Sequence, residues 1–161
     1  MAENNTKQMQ TKDDSGGYIR PVTFEDAAAI RDLAEFSLGY PESLALVQDQ
    51  IKNIGSAPDH WVFVYEEADN GQVLGFIEAQ VYRSIYASTG VNILGLAVSP
   101  DHQGKGIGTQ LILHMENHAK AQGLAYVRLN SGSQRTQAHA FYQSMGYDGS
   151  KLQRRFIKSI I

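Results

Sequence analysis

The sequence predicts an α/β domain built on one mixed sheet. Apolar residues alternate on both sides of Asp69-Asn70-Gly71, a turn signal that folds two strands into an antiparallel hairpin. Further on, an apolar run at 91–98 meets glycines at 104, 106 and 108, then a helical pattern, then a second apolar run at 124–129. A strand-helix-strand unit of this kind joins parallel strands by a right-handed crossover. With 161 residues, 42% of them hydrophobic, the chain suits one domain with an ordinary core.

Residues 1–16 hold no large apolar side chain beyond Met1 and Met9, and we expect a disordered tail there, with a single domain over 17–161. Residues 18–22 read as a short strand, with Pro21 marking an edge or an end. Thr23 suits a helix N-cap, and Asp26 stands where a capping box carries Glu or Gln. The helix that follows runs to about residue 37, with Ala27, Ile30, Leu33 and Leu38 on one face, until Gly39-Tyr40-Pro41 breaks it. A second helix spans about 41–53 and stops near Gly55. Residues 60–66 form a strand buried on both faces, and 73–82 return beside it with Gly75 at a possible bulge. We expect a loop over 83–90, a strand over 91–98, a helix over 104–121 ended by Gly123, a strand over 124–129 and a helix over 134–144. Residues 150–160 alternate Leu152, Arg154, Phe156 and Lys158 and read as a final strand.

Composition narrows the chemistry. The chain has no cysteine, which removes disulfides, a cysteine zinc site and a cysteinyl acyl-enzyme. No apolar run approaches the ~20 residues that span a bilayer, and no signal-peptide core is seen, so a cytoplasmic location without membrane contact is expected. Net charge is −3. The only basic group, Lys151, Arg154, Arg155 and Lys158, is too dispersed for a nucleic-acid footprint. His114 and His118 have zinc-like spacing, but no acid or cysteine completes a set, so no metal is expected.

The glycine turn is the strongest signal. Backbone N–H groups at a helix start lack intrahelical partners and sit at the positive end of the dipole, and glycines let an anion come close. Three phosphate loops compete. A Walker A loop needs Ser or Thr after the lysine, and here Gly106 follows Lys105. A dinucleotide loop needs G-x-G-x-x-G and an acid about 20 residues on, whereas the next strand ends at Leu129-Asn130. The third is Q/R-x-x-G-x-G/A, matched by residues 103–108, Gln-Gly-Lys-Gly-Ile-Gly. A plain glycine turn without a ligand is the remaining reading.

That third pattern resembles the pyrophosphate loop of the GCN5-related N-acetyltransferases (GNAT). Residues 138–147, Ala-His-Ala-Phe-Tyr-Gln-Ser-Met-Gly-Tyr, are similar to the same family's A-x-x-F-Y-x-x-x-G-F/Y helix end, in the right order. The resemblance covers about 18–157. It implies the acyl-CoA N-acyltransferase fold: a central, mostly antiparallel sheet with one splayed parallel pair, flanked by helices. It also implies acetyl-CoA as cosubstrate. Backbone groups of Leu96, Ala97 and Val98 would pair with the pantetheine arm, with Gly95 giving freedom for the bulge. Gln103, Gly104, Lys105, Gly106, Ile107, Gly108 and Thr109 would hold the pyrophosphate. Tyr142 would serve as the acid that protonates the leaving thiolate, a phenol near pKa ~10 facing a thiol near ~8.5. Homodimers are common in the family, and the final strand is a route to one.

Two positions depart from the family. Some relatives carry a glutamate base early in the strand before the loop, where this chain has Asn92; Glu78 on the preceding strand is the alternative. Many relatives carry an asparagine where this chain has Arg135, so Asn130 and Ser131 are candidates for the pantetheine contact, and Arg135 for a phosphate or a helix cap. Acceptor choice is expected from the first two helices and the 82–90 segment, with Tyr40, Glu42, Trp61, Tyr82 and Tyr86 nearby. The resemblance implies acetyl transfer to a small-molecule or peptide amine by direct attack. A coenzyme A-binding sensor without turnover, motivated by Asn92 and Arg135, and a transferase of another acyl group are the alternatives.

Overall fold

A computed structural model describes residues 16–161; the expected tail lies outside them apart from Gly16. Five strands, β1 (Gly17–Pro21), β2 (His60–Glu67), β3 (Val73–Ser84), β4 (Ala87–Val98) and β5 (Val127–Leu129), form one sheet in chain order. The first four are antiparallel and β5 runs parallel to β4. Four α-helices accompany them: α1 (Ala27–Leu33), α2 (Leu44–Gly55), α3 (Ile107–Ala121) and α4 (Thr136–Ser144). The mixed sheet with its one parallel pair is the fold expected from the sequence. The chain divides into two compact units, one ending at Leu129 and the other spanning Asn130–Ile161.

In the first unit the period-2 alternation sorts side chains onto two faces. On one face Val64, Phe76 and Ala97 pack with Leu33 of α1, ringed by Val22, Ile30, Leu38 and Val73. On the other, Ile77 meets no solvent, nor do Leu111, Ile112 and Met115 of α3. Side chains of this size each contribute about 1.5–3 kcal/mol on full burial. Near the start of α1 the Asp26 carboxylate is buried and takes both Nη groups of Arg20 at 2.8 Å, plus the Thr23 N–H at 2.7 Å, half of a capping box. Burial pushes this carboxyl up, but Arg20 and Thr23 together outweigh it and hold it below the ordinary carboxylate range. Arg20 also binds Glu66 at 2.6 Å, tying β1 to β2.

Several boundaries differ from expectation. The first helix changes pitch twice: a 3-10 turn over Phe24–Asp26, then α1, then a π-helical turn over Ala34–Leu38 that ends on left-handed Gly39. The second helix starts later, at Leu44, because Ser43 caps it by accepting from the Leu46 N–H at 3.1 Å. The 83–90 loop is mostly strand. Its polar residues satisfy their backbone across a tight hairpin, with Ser84 opposite Ala87 and only Ile85 and Tyr86 between them. α3 begins at Ile107 rather than 104, because Gly104 and Gly106 have left-handed φ values of 77° and 86°. β5 and α4 are each shorter at their start than expected.

The expected final strand is absent. Residues 150–161 carry no regular structure, and Leu152, Phe156, Ile157, Ile160 and Ile161 are exposed. An alternating pattern makes one face apolar, but a strand also needs a neighbour to complete its hydrogen bonds, and the pattern cannot supply one. Among the described residues no helix is long and apolar enough to cross a membrane.

Candidate active site

The site of the first unit is built around a bulge in β4. Glu78 stands opposite Gly95 and Ala79 opposite Ile93, which leaves Leu94 as the extra residue. The ladder between β4 and β5 pairs residues 91–93 with 127–129 and goes no further, so residues 94–98 run on with no β5 partner. Beyond the bulge β4 therefore keeps its β3 neighbour and has no paired strand on its other side among the described residues. Leu96 lies along this stretch half-buried, while the Ala97 side chain belongs to the core and its backbone stands opposite Phe76 in the β3 ladder. The Val98 carbonyl already accepts from Ser37 Oγ at 2.7 Å and Gln103 Nε2 at 3.3 Å. Ser37 thus fastens the π-turn to the end of β4, and Gln103 fastens the glycine loop to it.

Beyond β4, a 3-10 turn over Pro100–His102 delivers the chain to the loop. Gln103, Gly104, Lys105 and Gly106 are exposed. A Cβ at Gly104 or Gly106 would meet no atom within 4 Å, but their left-handed backbone suits glycine. Gly106 caps α3, and Ile107, Gly108 and Thr109 begin its first turn, where backbone N–H groups lack intrahelical acceptors. The Ile107 side chain is buried, so its contribution there is its backbone. An anion the size of a pyrophosphate fits this arrangement: open space, unspent donors and a flanking lysine.

Glu78 points to the face that carries Phe76, as its place two residues along β3 requires. Its Oε1 lies 2.7 Å from His60 Nε2, and both side chains are partly buried. Asn92 accepts from Arg128 Nη1 at 2.7 Å, and an amide takes no proton. Arg128 also lies over the Tyr82 ring, 4.7 Å from its centroid. His60 and Arg128 are the residues the sequence reading missed. A one-residue register shift at Tyr65 and Glu66 decides which β2 residue faces Glu78, and no residue in the sequence marks that shift. Trp61 goes to the opposite face. It meets His118 edge-on at 4.5 Å, as Phe63 meets His114, and it takes no place among the acceptor-side residues.

The second unit holds the remaining candidates. Asn130 and Arg135 are exposed, and Ser131 Oγ is buried with no hydrogen-bond partner among the described residues. Arg135 is the N-terminal flank of α4 and closes its entry turn with an N–H bond to the Gly132 carbonyl at 3.0 Å. Tyr142 sits on α4, edge-on to Phe141 at 5.2 Å and to Tyr147 at 6.0 Å. Burial raises its phenol above the ordinary value and nearby Arg135 works against that rise, so at neutral pH the hydroxyl keeps its proton and can donate it.

Comparison with known proteins agrees with this geometry. The profile of the "Acetyltransferase (GNAT) family" matches residues 27–147. An aminoalkylphosphonate N-acetyltransferase of Salmonella typhimurium is 32% identical over 92 residues, 56% of this chain and 58% of that protein. The [ribosomal protein bS18]-alanine N-acetyltransferase of Escherichia coli is 25% identical over 92 residues, 57% of this chain and 59% of that protein. This chain thus spans somewhat more than half the length of these two relatives. Among solved structures, AAC(6')-Iy in complex with the bisubstrate analogue CoA-S-monomethyl-acetylneamine superposes with a TM-score of 0.76 at 18% identity, covering 89% of this chain and 98% of that one.

Proposed function

The chain belongs to the acetyltransferase (GNAT) family, and on that footing we propose that it transfers an acetyl group from acetyl-CoA to a primary amine by direct attack. The observation that carries this is the continuous path from the β4 bulge, along residues 94–98 with no β5 partner, into the glycine loop. Backbone groups of Leu96 and Ala97 and the Val98 N–H take the pantetheine arm as an added strand edge. Gln103, Gly104, Lys105, Gly106, Ile107, Gly108 and Thr109 take the pyrophosphate. In the second unit, Asn130 and Arg135 are assigned to cofactor contact and Tyr142 to the acid role.

The acceptor nitrogen must be neutral to attack, and a lysine-like amine is neutral only about one part in a thousand near neutral pH. Glu78 takes that proton, since Asn92 cannot. The amine nitrogen bonds to the acetyl carbon, the carbon–sulfur bond breaks, and the Tyr142 hydroxyl protonates the departing thiolate. With no cysteine in the chain, no cysteinyl acyl-enzyme intervenes.

A panel of amines and acyl donors, read by release of free thiol, tests this. Amine-dependent thiol release from acetyl-CoA is the expected result. Binding of acetyl-CoA with no release against any amine would make the protein a coenzyme A sensor, and faster release from a longer acyl donor would reassign the acyl group. We also propose a homodimer, because the apolar side chains of residues 152–161 are left uncovered.

A further inference from the structure

The strand neighbours of Glu78 offer its carboxylate nothing to hold. Val62 stands directly opposite on β2 and is apolar and buried. Gly95 stands opposite on β4 and has no side chain. Phe76, two residues back on the same face, belongs to the core. His60 lies one pair along from Val62, opposite Gln80, and is therefore diagonal to Glu78 on that face. A diagonal of ~7–8 Å between backbones is within reach of a long side chain. Glu78 Oε1 meets His60 Nε2 across it at 2.7 Å. An ionised carboxylate only accepts, so Nε2 is the ring nitrogen that carries a hydrogen in this contact. The contact engages Oε1 and leaves Oε2 as the oxygen that can take a proton.

His60 is itself fixed to β3. Its register partner is Gln80, and the carbonyl of the preceding Asp59 accepts from the Val81 N–H at 2.8 Å. The Asp59 carboxylate, the acid nearest to His60 along the chain, is taken by Arg83 Nη1 at 2.8 Å. The imidazole thus starts from an anchored backbone and turns to Glu78.

We infer that His60 is the positioning residue of the proton acceptor. This rests on the acetyl-transfer reading above, with Glu78 as base, and adds the residue that aims it. Three torsions separate a glutamate carboxylate from its backbone, and the Nε2–H bond selects one arrangement of them before the amine arrives. When the amine gives its proton to Oε2, the Nε2–H stays on Oε1, and the ring neither gains nor gives up a proton.

A double-mutant cycle tests this, with thiol release from acetyl-CoA and a saturating amine as the readout. His60→Leu should lower kcat by about tenfold or more, with coenzyme A affinity unchanged. His60→Gln keeps an N–H donor and should recover most of that loss. In a Glu78→Gln background His60→Leu should change kcat by less than about twofold, because no carboxylate is left to aim. A structural role at the start of β2 would instead lower kcat by the same factor in both backgrounds. That result overturns the inference and leaves Glu78 as base, as does a His60→Leu protein of undiminished kcat or a His60→Gln protein as slow as His60→Leu. Undiminished kcat in Glu78→Gln, or no thiol release with any amine, overturns the reading beneath it and this inference with it.

Discussion

His60 Nε2 and Glu78 Oε1 lie 2.7 Å apart on the sheet face next to the β4 bulge, across from Gly95. The hydrogen bond draws the Glu78 carboxylate toward β2 and fixes its direction. Glu78→Gln keeps the shape and removes the proton acceptor. It should lower kcat by about 10²-fold, the usual worth of a positioned base, while the melting temperature stays nearly constant. Thiol-release kinetics with a thermal melt check this, and undiminished turnover would take Glu78 out of the proton path.

Gly106 has a φ of 86° and caps α3. Gly106→Glu puts a strained backbone and a negative charge where the phosphates are assigned. Coenzyme A affinity should fall by at least about 10²-fold, since both the backbone cradle and the field are lost. Calorimetric titration reads it directly, and an unchanged affinity would reject the loop as the pyrophosphate site.

Tyr142→Phe removes one hydroxyl and leaves the ring against Phe141 and Tyr147. Turnover should drop about ten- to a hundredfold with coenzyme A affinity unchanged, because a general acid acts in the transition state. A rise in KM with constant kcat would instead mark Tyr142 as a binding residue.

His114 and His118 give stability a pH dependence. Burial lowers both imidazoles, and His118 lowers His114 further; His118 Nε2 has no hydrogen-bond partner among the described residues. The unfolded chain titrates near the ordinary value of about 6.5, above the folded values. Stability is therefore complete above that value and is lost as pH falls through it, where the unfolded state binds protons that the folded state refuses. The melting temperature should drop between about pH 7 and about pH 5, and the drop should shrink in a His114→Leu/His118→Leu double variant. An unchanged slope would assign the loss to other groups.

The exposed residues Leu152, Phe156, Ile157, Ile160 and Ile161 bear on assembly. Light scattering should give two chains per particle for the full protein and one for a chain ending at Ser150. A full-length monomer would reject the dimer.

Much of the fold was legible because it depends on local patterns. Alternation marked β2 and β3, the Asp69-Asn70-Gly71 turn joined them, and the 3.6-residue period of Ile107, Leu111 and Met115 marked α3. The hairpin at 83–90 was missed because its polar residues look like a loop until antiparallel pairing satisfies them. The final strand was misread for the opposite reason: its pattern is local, but its partner is not part of the pattern.

The sequence by itself determined the family, through residues 103–108 and 138–147, and with it the expected donor end of the reaction, because backbone cradles are written in glycine spacing. Only the tertiary structure decided what faces Glu78. A bulge at Leu94 and a register shift at Tyr65 and Glu66 bring His60, Asn92 and Arg128 into one row from three separate strands. A one-residue slip in either ladder would turn those side chains to the opposite face, and that choice is made by the packing of the whole sheet rather than by any short stretch of it.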